Sequence, residues 1–299
     1  MSCSADSWDD LQTLEGRPYP IVDSPSSIGK PAKSASGGLN PLQATHTPRK
    51  RFSQNFLQDR GVVRRIIAAI DPRRDDRIVE IGPGPGALTA PLLDHVARLD
   101  VIEIDRDIVR GLRARFPAER LSVHQGDALE FDFSAFFADV RVVGNLPYNI
   151  STPILFHLTA QVALLRDCHF MLQREVVERM AATPGQPAYG RLSVMLQYRW
   201  AMESLFDVPP TAFHPQPKVW SSVVRMTPYA TPPHRVSNES LFADVVTRAF
   251  GKRRKTLRNA LRELLEAREL EQLGIEPGAR GETLGVPEFA RIANYLEER

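Results

Sequence analysis

The sequence predicts an α/β fold: a doubly wound, mostly parallel sheet followed by a small C-terminal helical domain. Three observations carry this. Apolar runs of strand length alternate with helical patterns from the Val62 region to about Thr227. Successive strand-like runs end in ligand-suited groups, namely a glycine turn at Gly82, then Glu103, Asp127 and Asn145. Ligands of such sheets bind outside the carboxyl ends of the strands, so four signals fall on one rim. Beyond Pro228 to His234, which reads as a linker, strand patterns give way to helical ones. The expected organisation is an extension over 1–47, a cofactor-binding domain over 48–228 and a helical domain over 229–299.

The composition bounds agree. A chain of 299 residues holds one doubly wound domain and a small one. The two cysteines, Cys3 and Cys168, lack metal-ligand spacing, which fits a reducing compartment and argues against structural zinc. No apolar run reaches membrane-spanning length, and Asp6, Asp9, Asp10 and Glu15 argue against a targeting peptide, so a cytoplasmic protein is expected. The formal net charge of +2 says little about nucleic acid; local clusters say more.

Residues 1 to about 47 are rich in Ser, Pro and Gly without apolar periodicity and read as disordered, or alternatively as a partner-binding tail or an overlong gene start. Arg49, Lys50 and Arg51 then precede Phe52 and Phe56, and an amphipathic helix follows through Val62, Ile66, Ile67 and Ile70. The triplet is either a solvated linker or a contact to RNA phosphates beside an aromatic entrance.

Ile78 to Ile81 reads as a strand entering the turn Gly82-Pro83-Gly84-Pro85-Gly86, with a helical pattern after it. Glycines there permit positive φ and close approach of a ligand. Pro83 and Pro85 donate no N–H, which disfavours a phosphate cradle and suits an adenosyl group without phosphates. Glu103, about 20 residues on, has the spacing of a carboxylate that accepts from a ribose diol. Asp127, at the next strand end, is placed for an adenine amino group, or is a plain turn aspartate.

The run Val140 to Val143 ends at Gly144 and leads into Asn145-Leu146-Pro147-Tyr148. The Asn145 side-chain carbonyl and the Leu146 main-chain carbonyl can accept both hydrogens of an exocyclic amine. Pro147 stiffens the loop, and Tyr148 offers a stacking face. Two acceptors on one amine draw its lone pair out of conjugation and aim it at an electrophile. The plain alternative is a Pro-containing turn with a buried Asn and a packed Tyr.

Helices are expected over Ile108–Phe116, Pro153–Leu165 and Gln173–Ala181, and strands over Met202–Val208 and Ser221–Met226. Pro209 to Val219 is too proline-rich for a helix or a central strand, and its stiffness offers Phe213 either as a second face of a base clamp opposite Tyr148 or as a packing residue. In the tail, a helix continuing past Gly251 would put Lys252, Lys255, Asn259 and Arg262 on one side and Leu257, Leu261 and Leu264 on a core face. Lys252, Arg253, Arg254, Lys255 and Arg258 lack acidic neighbours before Glu263, which favours an RNA footprint over a merely solvated face.

Eight stretches together resemble the bacterial small-subunit (16S) ribosomal RNA adenine dimethyltransferase family, within the Rossmann-like class I S-adenosylmethionine-dependent methyltransferases. They are Arg49–Leu57, Glu80–Gly84, Val101–Asp107, Gly144–Pro153, His169–Val177, Ala188–Val194, Phe213–Val219 and Arg253–Asn259. The likeness runs from about Pro48 to the C-terminus, and Gln54-Asn55-Phe56-Leu57 with Asn145-Leu146-Pro147-Tyr148 is its most specific part. The resemblance implies S-adenosylmethionine as cofactor, with contacts at Asn55, Leu57, Gly82, Gly84, Glu103, Asp127 and Asn145. It implies a catalytic set of Asn145, Leu146, Pro147, Tyr148 and Phe213 and no metal. Two adjacent adenines in a 3′-terminal hairpin of 16S rRNA, within an immature 30S subunit, are the implied substrate, and nothing demands more than a monomer.

The chemistry expected is in-line displacement at an already activated methyl carbon, where the protein supplies positioning. The target base must leave its stack to enter. Leu146, where related DNA enzymes carry proline, loosens the pocket for a second methylation. A large-subunit rRNA methyltransferase of the macrolide-resistance type and a non-catalytic ribosome-assembly factor on the same scaffold are the competing readings. DNA-adenine and protein-glutamine methyltransferases fit the basic tail less well.

Overall fold

The computed structural model describes residues 55–136, 138–252 and 254–299. The expectations for 1–47 and for Arg49, Lys50, Arg51 and Arg253 lie outside the described residues.

The strands are β1 Phe56–Leu57, β2 Arg77–Ile81, β3 Leu99–Glu103, β4 Leu121–Gln125, β5 Val140–Asn145, β6 Leu165–Gln173, β7 Trp200–Val208, β8 Phe213–His214 and β9 Ser221–Pro228. Seven form one sheet in the order β4-β3-β2-β5-β6-β9-β7. β2 through β6 pair in parallel, and β9 and β7 close the edge antiparallel. The order reverses beside β2, between β3 and β5, which is where such sheets open a crevice. The apolar runs of β2 and β5 suit strands covered on both faces. Val79, Ile81, Val142 and Phe170 enter one buried cluster, and Ile78, Val101, Val143 and Met171 enter the other.

The helices are α1 Arg60–Ile70, α2 Thr89–Leu93, α3 Arg106–Arg115, α4 Ser151–Ala160, α5 Arg174–Ala181, α6 Arg191–Gln197, α7 Glu239–Phe250, α8 Leu257–Ala260, α9 Ala267–Gln272 and α10 Val286–Glu298. α1 buries Val62, Ile66, Ile67 and Ile70, as its periodicity predicts, and Asp59 caps it by accepting from the Gly61 and Val62 N–H groups at 2.7 and 3.0 Å. The helix expected to run to Leu165 ends at Ala160; a short 3₁₀ turn over Val162–Leu164 follows, and Leu165 opens β6.

The tail departs from expectation. α7 stops at Phe250, and α8 covers only Leu257–Ala260. A glycine followed by consecutive cations is a poor helix interior, and the Leu257 N–H turns to the Ala279 carbonyl at 2.8 Å. Lys252, Lys255, Asn259 and Arg262 therefore do not share one helical face. Leu257 and Leu261 are buried as expected, with Leu265 rather than Leu264 fully buried after them. Phe242, Val246, Phe289 and Ile292 join the same buried cluster as Val142 and Phe170, so one core runs from the sheet into the C-terminal helices.

At the amino ends of the strands, Arg141 is buried. Its guanidinium meets Asp76 at 2.7 Å and Asp167 at 3.0 Å and donates to the Ile70 carbonyl at 2.6 Å. Burial opposes the charged forms, but these partners hold both aspartates below, and the arginine above, their ordinary pKa values.

Candidate active site

A cavity of about 270 Å³ opens at the carboxyl ends of β2, β3, β4 and β5. Asn55, Leu57, Gly82, Gly84, Glu103, Asp127, Asn145, Leu146, Pro147 and Tyr148 all line it. Residues far apart in sequence are thus brought together: Gly82, Glu103, Asp127 and Asn145 arrive at or just beyond the ends of the parallel strands, and Asn55 and Leu57 arrive with β1, which pairs antiparallel with β8.

The glycine turn is built by positive φ at Gly82 (64°), Gly84 (53°) and Gly86 (88°). Its N–H groups are already used: Gly82 donates to the Ile102 carbonyl at 2.9 Å, Gly84 to Glu103 Oε2 at 3.3 Å and Gly86 to the Pro83 carbonyl at 3.0 Å. With prolines between them, the turn has no row of donors for a phosphate. The ring of Phe56 lies 3.2 Å from where a Cβ on Gly84 would stand, so the entrance strand closes directly over the turn.

Glu103 accepts from backbone N–H groups on both oxygens, from Gly84 to Oε2 and from Asp105 to Oε1 at 2.8 Å, with the Ile104 N–H adding to them. The carboxylate keeps a lone pair for a hydroxyl donor. Burial pushes its pKa up to about 7 against those bonds. Asp127 is a turn residue that also lines the cavity. Its Oδ1 accepts from the Leu129 N–H at 2.9 Å as a turn residue, while among the described residues no donor reaches Oδ2, and the side chain lines the cavity.

Asn145 Nδ2 donates to the Asn55 main-chain carbonyl at 3.1 Å. The opposite amide orientation would set oxygen against oxygen, so Oδ1 is the atom left over, and among the described residues no donor reaches it. Leu146 N–H is fixed to the Met171 carbonyl at 3.2 Å, and among the described residues no donor reaches the Leu146 carbonyl. The Leu146 side chain is buried, so its contribution to the cavity is main chain. Pro147 accepts from Ile150 N–H and Ser151 Oγ at 3.2 and 3.1 Å, which ties the loop to the start of α4. Tyr148 is half-buried, its hydroxyl 3.0 Å from Ser221 Oγ, and burial raises its pKa against that hydroxyl. A phenol raised from its ordinary value stays protonated near neutrality and is not a base.

Phe213 is not brought to the cavity. It is 5 % exposed, pairs with Leu57 in the β1–β8 ladder and packs in the core, so among the described residues it is a packing residue beside the cavity-lining Leu57. In the tail, Lys252, Arg254 and Arg258 are exposed and Lys255 is half-buried.

Sequence reasoning missed several residues. Glu80 is buried at the cavity floor, accepts from Thr89 Oγ1 at 2.6 Å, and is pushed by burial to about 8. Its signal was an acid inside an apolar strand. Gly144 is required by packing, because a Cβ there would stand 2.6 Å from the Ile81 carbonyl oxygen. Ser221 had no local signal at all. Cys168 is a buried free thiol, as its context predicts, and no group of His, Cys, Asp and Glu among the described residues could hold a metal. No helix among the described residues is long and apolar enough to cross a membrane.

These features fit an adenosyl ligand in donor chemistry as well as shape, with acceptors for a diol and an amine and no phosphate donors. The comparisons agree. The family model for ribosomal RNA adenine dimethylase matches residues 45–298. A protein named ribosomal RNA small subunit methyltransferase A from Nitrosospira multiformis is 58 % identical over 251 residues, covering 84 % of this chain and 97 % of its own. One of the same name from Pseudomonas aeruginosa is 53 % identical over 257 residues, covering 85 % and 96 %. Among solved structures, a dimethyladenosine transferase from Plasmodium falciparum aligns with TM-score 0.72 at 26 % identity, covering 81 % of this chain and 98 % of its own. The 23S rRNA methyltransferase ErmE shares the fold, with TM-score 0.66 at 24 % identity over 81 % of this chain and 100 % of its own. A glycine turn without phosphate donors, two rim carboxylates and an Asn-Leu-Pro-Tyr loop with two open acceptors thus stand in a chain that belongs to the ribosomal RNA adenine dimethylase family.

Proposed function

We propose that this chain is an S-adenosylmethionine-dependent methyltransferase that dimethylates the exocyclic nitrogen of adenines in small-subunit ribosomal RNA. The observation that carries the reading is the pair of open acceptors, Asn145 Oδ1 and the Leu146 carbonyl, on the wall of the cavity that also presents Glu103 and Asp127.

When bound, the cofactor supplies a methyl group on a sulfonium centre. Glu103 would accept from the ribose diol and Asp127 Oδ2 from the adenine amine, with Ile104 and Ala128 as apolar lining beside them. Asn145 and Leu146 hold the two hydrogens of the target amine and turn its lone pair toward the methyl carbon, and Tyr148 stacks on the target base. As the N–C bond formed, the carbon–sulfur bond would break and S-adenosylhomocysteine would leave; the nitrogen, made acidic by the new methyl group, would lose its proton to water, so no side-chain base is required.

The remaining assignments belong to the same proposal. Residues 48–228 carry the cofactor and 229–299 contact RNA, with Arg49, Lys50, Arg51 and the cations Lys252, Arg253, Arg254, Lys255 and Arg258 tracking phosphates. The substrate is a pair of adjacent adenines in a 3′-terminal hairpin on an immature 30S particle, and the enzyme works as a monomer in the cytoplasm. Transfer of labelled methyl groups to immature 30S particles, followed by nucleoside analysis, tests this. Dimethyladenosine in small-subunit RNA is expected, and its absence would sink the reading.

A further inference from the structure

Among the described residues four large apolar side chains are exposed: Ile104 (46 %), Val219 (43 %), Trp220 (46 %) and Tyr229 (38 %). Ile104 is accounted for in the cavity wall. Val219 and Trp220 are consecutive, and they sit where the proline-rich loop enters β9 at the catalytic rim.

The position of Trp220 is tightly fixed. Its carbonyl accepts from the Arg174 N–H at 3.0 Å. The next residue, Ser221, is locked between Gln173 of β6 and Val208 of β7, and its hydroxyl lies 3.0 Å from the Tyr148 hydroxyl. The Trp220 backbone is therefore within about 9 Å of the Tyr148 hydroxyl by chain geometry. The indole itself makes no hydrogen bond or ring contact among the described residues, and Lys218, two residues before it, is exposed with no acidic partner among them. A large flat ring on a fixed backbone, with an exposed cation two residues away in the chain, is the chemistry that stacks an unpaired base and meets its phosphate.

We propose that Trp220 is a stacking platform for the nucleotide adjacent to the target adenine, with Lys218 on the phosphate between them. This rests on the RNA-adenine reading above and adds a second base-binding position to it. A base drawn out of its helix loses stacking on its neighbour. A platform one nucleotide away returns that stacking to the neighbour and holds the strand in register over the Asn145 notch.

The test uses Trp220→Ala and Trp220→Phe in the full chain, with a short single-stranded RNA containing the target adenine and matched RNAs carrying an abasic ribose 5′ or 3′ of it. Binding is read by fluorescence anisotropy, and methyl transfer is read on immature 30S particles. Trp220→Ala should weaken binding to intact RNA by about 5- to 100-fold, and Trp220→Phe by less. One abasic RNA should bring the parent down to the Ala variant while leaving that variant unchanged. Calorimetric affinity for S-adenosylhomocysteine should be equal in all three proteins, which separates the platform from a folding defect. Equal binding of intact RNA by parent and Ala variant, or an unchanged penalty on both abasic RNAs, overturns the platform. A loss confined to assembled particles overturns it in favour of a ribosomal-protein contact. A parent that methylates no RNA overturns the underlying reading, whereas a methylating parent matched by Trp220→Ala overturns the platform alone.

Discussion

The side-chain amide of Asn145 is anchored to the main-chain carbonyl of Asn55, at 3.1 Å and 90 residues earlier in the chain. One bond thus sets the orientation of the acceptor that would meet the target amine, and it comes from the residue just before β1, whose Phe56 covers the glycine turn. Substrate positioning and cofactor enclosure share a single support.

Asn145→Ala should lower single-turnover methyl transfer by about 100-fold or more, because a misplaced amine loses alignment with the methyl carbon. The half-buried side chain makes a single bond to the described residues, so the thermal transition should change little. Rapid-quench assay on immature 30S particles measures the rate, and full dimethylation by the variant would remove the positioning role.

Cofactor affinity should depend on pH through Glu103. Its pKa in the free protein is about 7, raised by burial. A diol donates best to the ionised carboxylate, so affinity should rise as pH climbs through 7 and fall by up to about tenfold per unit below it. Titration calorimetry with S-adenosylhomocysteine between pH 6 and 8 reads this, and Glu103→Gln should bind more weakly with a flat profile. A parent profile that is flat over that range would refute the coupling.

Glu80 should make the fold less stable as pH rises. Its pKa is raised from 4.5 to about 8, first by burial and then by the Glu103 charge, against the Thr89 hydroxyl bond. Between those values the native state holds a proton that the unfolded chain has released, so stability is lost as pH rises through the window. Glu80→Gln should flatten that slope and melt higher than the parent at pH 8. Calorimetric scans at pH 5 and 8 decide it, and an unchanged slope would count against the buried acid.

Gly144→Ala should destabilise the protein by roughly 1–3 kcal/mol, since its Cβ would press on the Ile81 carbonyl oxygen at 2.6 Å and stand 3.2 Å from the Leu146 side chain. Urea midpoints measure the change, and a variant as stable as the parent would show that the two strands do not approach so closely.

The parallel strands, the helix after Asp59 and most of the rim were readable in the sequence because each depends on local pattern. Alternating apolar runs, a proline-laced glycine turn and acids at strand ends carry their meaning within a few residues. Phe213 was ambiguous because an aromatic in a stiff loop can face a ligand or a core, and only its pairing with Leu57 decides. The tail helix was over-extended because periodicity continues across Gly251 while the backbone turns to satisfy the Leu257 N–H at Ala279. Ser221 and the need for glycine at 144 depend on contacts between strands and leave no trace in neighbouring residues.

The buried Arg141 cluster sits at the opposite end of the same strands from the cavity. There, charge is sealed inside by mutual pairing; at the rim, lone pairs are left open. Damage to the first end should reach a cell as missing enzyme, and damage to the second as abundant enzyme that leaves its RNA unmarked. A sheet built this way lets the amount of the protein and its workmanship be altered by separate sets of substitutions.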